Sequence, residues 1–137
     1  MKPWAWLALG LLAAQAGAQT CGDALGADAR RIDSAQFQLV YKLLPEPVPV
    51  GRHFAIDVRL CPKGNVALPA EVRVDATMPE HRHGMNYRPS VKTLAPGRYR
   101  AEGLMFHMPG RWELVFELRG PDPGTAPQRL IQSLQVG

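Results

Sequence analysis

Three stretches of this chain alternate apolar and polar residues with a period of two, and that alternation leaves little room for any fold not built of sheets. Phe54, Ile56, Val58 and Leu60 are separated by Ala55, Asp57 and Arg59; Val72, Val74, Ala76 and Met78 by Arg73, Asp75 and Thr77; Trp112, Leu114, Phe116 and Leu118 by Glu113, Val115 and Glu117. Successive side chains of a strand point to opposite faces, so each segment buries one face and wets the other. Gln36 to Leu44 and Leu130 to Val136 are further strand-like runs, and Gly97 opens another through Tyr99 and Ala101. Between the runs at residues 36–44 and 53–60, Pro45-Glu46-Pro47-Val48-Pro49-Val50-Gly51 cannot be helix, because proline lacks the backbone donor and biases its predecessor to extended conformation. No segment carries a convincing amphipathic helix. The expectation is an all-β chain, a single domain folded as an immunoglobulin-like β-sandwich of about seven strands, in preference to a barrel.

The N-terminus has a different character. Lys2 gives a positive start, Trp4 to Ala14 is an almost unbroken apolar run, and Ala16-Gly17-Ala18 supplies small residues in a cleavage pattern. Residues 1–18 therefore read as a signal peptide, 19–35 as an N-terminal arm and 36–137 as the sandwich domain. The apolar run is short for a bilayer span, so the mature form is expected not to span a membrane and to reside in the periplasm; retention of the segment as an anchor is the alternative. The net charge of +4 is mild and scattered, which argues against a nucleic-acid partner. Arg82, Arg88, Arg98, Arg100 and Arg111 read as a solvated strand face or, alternatively, as a dock for an acidic partner or an anion.

Export governs how Cys21 and Cys61 are read. In an oxidising compartment they are expected to pair, closing a loop of about 40 residues and contributing about 4 kcal/mol in the chain-entropy description. The competing reading leaves Cys61 as a free thiolate and a soft metal ligand.

Soft-ligand residues are concentrated in two short segments, Met78-Pro79-Glu80-His81-Arg82-His83-Gly84-Met85 and Met105-Phe106-His107-Met108. They hold every methionine but Met1 and every histidine but His53. Thioether sulfur and neutral imidazole are preferred by copper, Cu(I) above all, whereas zinc gains little from thioethers. His81, His83 and Met85, in a polar loop with no evident packing role, are the leading candidates for ligation. Met78 follows the inward parity of its strand, so core packing competes with ligation there, and Met105 also reads as core filler. His107 and Met108 would point oppositely in an extended chain, which favours one of the two, with a slight preference for Met108. His53, at the start of a strand, reads as a surface residue.

At these residues the chain resembles the YtkA-like family of exported bacterial domains, also labelled auxin-binding-like and grouped with FixH-type proteins. The resemblance runs from Asp75-Ala76-Thr77-Met78-Pro79-Glu80-His81-Arg82-His83-Gly84-Met85 through Gly97-Arg98-Tyr99-Arg100 to Phe106-His107-Met108-Pro109-Gly110-Arg111-Trp112-Glu113-Leu114. It implies an immunoglobulin-like sandwich and, by association, periplasmic copper handling or cytochrome oxidase maturation. The functional expectation is thus a copper-binding protein, for Cu(I) or Cu(II), that sequesters the ion or exchanges it with a copper-accepting or copper-donating protein of oxidase assembly or efflux. A non-metal interaction or assembly module is the second reading. No nucleophile motif surrounds Ser34, Ser90 or Ser133 and no paired carboxylates stand out, so an enzyme is not expected.

Overall fold

A computed structural model of the chain describes residue 1 and residues 20–137. The proposed signal segment, residues 1–18, lies outside the described residues apart from Met1. Among the described residues, nine strands form two antiparallel sheets: β1 (Arg30–Asp33), β2 (Phe37–Leu44), β3 (His53–Pro62), β4 (Glu71–Met78), β5 (His83–Gly84), β6 (Ser90–Ala95), β7 (Arg98–Met105), β8 (Gly110–Arg119) and β9 (Gln128–Val136). One sheet has the order β1-β2-β3-β7-β6 and the other β5-β4-β8-β9. The chain is an all-β sandwich, as the alternation requires.

The parity read from sequence holds where it is clearest. Phe54, Ile56, Val58 and Leu60 of β3, Val72, Val74, Ala76 and Met78 of β4, and Trp112, Leu114, Phe116 and Leu118 of β8 are all buried and face one another across the two sheets. Burying such faces supplies the main driving force for folding, about 1.5–3 kcal/mol for each large apolar side chain. The strand set is larger than the sequence suggested. Residues 30–33, read as part of an arm, form β1 and pair with β2, so the folded domain begins before residue 36. β6 is an exposed edge strand whose burial does not alternate, and β5 is only two residues long.

Cys21 and Cys61 form a disulfide with a Cα separation of 6.0 Å. Gly22, at φ 78°, lies so close to β2 that a Cβ there would sit 2.5 Å from Val40, so only glycine lets the segment after Cys21 lie flat on the sheet. The bridge ties this segment to the end of β3 and removes Cys61 from the candidate metal ligands. It also lies at the far end of the sandwich from them: at about 3.3 Å per residue, Cys61 is on the order of 25 Å along β3 from His53.

The ends of six strands meet at the opposite pole. β3 begins at His53 opposite Met105, where β7 ends. β4 ends at Met78 opposite His83 of β5, and β8 begins at Gly110 opposite Val136. Since the connection from Met105 to Gly110 is short, the two soft-ligand segments and His53 share one end of the molecule.

Candidate metal centre

The first segment is a reversal at the end of β4. Pro79 ends the strand by removing a ladder donor and starts a 3-10 turn, Pro79–His81. The Arg82 N–H donates to the Pro79 carbonyl at 3.3 Å, closing the turn. Arg82 itself is left-handed, at φ 55° and ψ 37°, the one non-glycine residue with positive φ among the described residues. That conformation sends the chain back along β4 as β5, and brings the rings of His81 and His83 to 5.7 Å between centroids. A left-handed conformation costs an L-residue about 1–2 kcal/mol, and glycine avoids it while losing about 0.5–1 kcal/mol of chain entropy. Arg82→Gly is therefore expected to leave stability unchanged or raise it by up to about 1.5 kcal/mol in urea unfolding. A clear loss would show instead that the arginine side chain holds the loop.

The second segment crosses from one sheet to the other. Phe106 is buried, and its carbonyl accepts from the Gly51 N–H at 2.8 Å, which ties the proline-rich connection to this pole. Gly110, at φ 133°, gives room to Met78: a Cβ there would sit 2.6 Å from the Met78 methyl. Met78 is a core side chain, 1% exposed, lying beneath the crossing. Trp112 is fully buried, and its indole N–H donates to the Met108 carbonyl at 3.1 Å, fixing both the ring and the turn.

These restraints place three imidazoles and an indole together. The His83 and His107 rings are 5.1 Å apart, and Trp112 stands edge-on to both, at 5.9 Å from His83 and 5.4 Å from His107. His81 is exposed on the outer side, while His83 and His107 are half-buried. His83 Nδ1 lies 3.0 Å from the Gly84 carbonyl. A carbonyl can only accept, so Nδ1 carries the proton and the neutral ring keeps its lone pair on Nε2, the arrangement by which ligating histidines are oriented. His107 Nδ1 is buried and has no hydrogen-bond partner. Leaving a buried polar atom unpaired costs about 1–3 kcal/mol, a cost that a bound ion removes.

Met85 and Met108 are half-buried and pack against the core at the same pole. Among the described residues, no three His, Cys, Asp or Glu side chains form a metal-binding group; the histidines meet pairwise, His81 with His83 and His83 with His107. A site here would draw on thioethers for further ligands, and imidazole with thioether is the donor set that suits copper. The residues present therefore fit a copper ion.

Arg111 links the turn to the sheet. Its guanidinium donates to Glu80 at 3.1 Å and to Glu113 at 3.1 Å, and these carboxylates hold its charge more firmly than usual. An exposed pair of this kind contributes little stability, about 0–1 kcal/mol, so its effect is positional. Arg100 is likewise paired, with Asp57 at 3.2 Å and Glu102 at 3.4 Å. For these two the solvated strand face is the apt description.

His81, His83, Met85, Met78, His107 and Met108 all reach this pole, but not equivalently. His107, ranked behind Met108 on the assumption of an extended chain, is the one with a buried, unpartnered nitrogen, because the crossing between sheets breaks strand parity after Met105. Trp112 was legible only as a core residue, since alternation records which way a side chain points and not what it meets.

A family model described as YtkA-like matches residues 30–117. No curated protein matches the chain. Among solved structures, a copper-bound variant of FetP from uropathogenic Escherichia coli strain F11 aligns over 78% of this chain and 93% of that one, with a TM-score of 0.51 and 6% identity. At that identity the likeness concerns the fold.

Proposed function

The chain belongs to the YtkA-like family, and on that premise we propose that it is an exported, periplasmic copper-binding protein that holds the ion at the Met/His pole for storage or transfer. The observation that carries the reading is the unpartnered, buried His107 Nδ1 beside a His83 ring whose tautomer is set by Gly84. His83 and His107 would hold the ion, with His81 at the solvent side and the thioethers of Met85, Met108 and Met78 as the available soft donors. The copper-bound FetP variant lends support, since a sandwich of similar fold was solved with that metal. Copper would be cargo here, so the chain's work is to bind it, keep water from it and release it. Trp112 closes the inner side, and the exposed His81 side is the direction from which a copper-accepting or copper-donating protein, of oxidase assembly or of efflux, would approach.

Trp4 and Trp6 fall within residues 1–18, so protein prepared without that segment carries Trp112 as its single tryptophan. Cu(II) titration is expected to quench most of its emission at one equivalent, and anaerobic competition to give a Cu(I) affinity tighter than micromolar. Affinities weaker than micromolar in both oxidation states would overturn the proposal.

A further inference from the structure

His53 and Met105 stand apart from the cluster just described, and the sheet places them together. They are direct cross-strand partners, with Phe54 and Leu104 as the next pair along β3 and β7. Phe54 and Leu104 are buried, 4% and 0% exposed, so alternation turns His53 and Met105 to the outer face of the sheet. Side chains directly opposite one another on neighbouring strands have Cβ atoms about 4.5–5.5 Å apart. His53 is exposed, and Met105 is half-buried although it faces outward. Tyr87, in the loop that leads from Met85 to β6, lies edge-on against the His53 ring at 4.9 Å and 75°, fixing its plane.

We propose that His53 and Met105 form a second, solvent-open site for a soft monovalent ion of the Cu(I) class. One imidazole nitrogen and one thioether meet the low coordination number that such an ion accepts, whereas a divalent ion such as zinc, which takes four ligands and gains little from thioether, does not suit the pair. The strands position the two ligands before any ion arrives, so the ordering cost of binding is small. An open pair encloses the ion less than the recessed cluster does, so the site should bind more weakly and exchange faster. It shares the pole with the cluster, a place where an ion can be held on its way in or out.

The test uses Ag(I), a non-oxidisable stand-in for Cu(I), with protein lacking residues 1–18. Wild type is expected to show two equivalents by calorimetric titration, the weaker accompanied by shifts of the Met105 methyl and His53 ring signals in NMR spectra. His53→Ala and Met105→Leu should each remove the weaker equivalent and leave the tighter one. His83→Ala should remove the tighter one and leave the weaker. His53 is exposed, so its replacement should not disturb folding, and Met105→Leu conserves volume. A weaker equivalent unaffected by both His53→Ala and Met105→Leu, or a wild type that shows no shift at either residue with saturating Ag(I), would overturn the proposal, whatever the outcome at the His83 cluster.

Discussion

His83→Ala and His107→Leu are each expected to lower copper affinity by at least about 100-fold, the upper end of what removing an outer-shell partner of a metal ligand costs. They should differ in what they do to the metal-free protein. His83 lies on a two-residue strand and donates to Gly84, so its truncation should cost a little stability by removing that hydrogen bond, about 0.5–1.5 kcal/mol. His107→Leu removes the unpartnered nitrogen and keeps apolar bulk against Trp112, so the metal-free variant should be as stable as wild type or up to about 1 kcal/mol more stable. A residue that weakens the empty protein while serving the loaded one is a binding-site residue in physical terms. Metal competition paired with urea unfolding reads both quantities. Unchanged copper affinity in both variants would dismiss the two histidines as ligands.

Removing the Cys21–Cys61 bridge by a double serine substitution should produce the largest loss of stability. The bridged residues are 40 apart in sequence, and closing a loop of that length contributes about 4 kcal/mol through the entropy of the unfolded chain. For a domain of this size that corresponds to a fall of roughly 10–20 °C in the melting temperature. Copper affinity measured well below the transition should be preserved, because the bridge and the Met/His cluster lie at opposite ends of the sandwich. A loss under about 1 kcal/mol would mean that the unfolded chain is already restrained without the bridge or that the folded N-terminal segment loosens once it is cut, since the entropic description with an unchanged native state requires several times that.

Much of the framework was visible in the residues themselves. Alternation in β3, β4 and β8 identified the inward faces because a strand's period is fixed by backbone geometry and does not depend on partners. Edge strands gave no such signal: in Ser90 to Ala95 only Val91 and Ala95 are half-buried and Thr93 between them is exposed, so no alternation is selected. Arg30 to Asp33 was hidden for a related reason, since a four-residue edge strand with Ile32 as its one apolar side chain is too short for alternation to register, and its pairing with β2 places it. The expectation that Cys21 pairs with Cys61 came from reading the N-terminus as an export signal, while the distance of the bridge from the candidate ligands needed the register of β2 with β3.

The site divides in the same way. Sequence alone set the donor types, because residue type sets donor softness: four methionines and three histidines stand in two short segments, and these are the side chains that copper prefers. It also placed Met78 on the inward side of its strand. Only the tertiary structure decided which donors meet. Arg82 in its left-handed conformation turns His81 and His83 toward each other, the crossing after Met105 brings His107 beside His83, and the pairing of β3 with β7 joins His53, read from sequence as a surface residue, to Met105. Each of these depends on where one backbone passes another, and long-range register is fixed by the packing of the whole sandwich, which no local run of residues encodes.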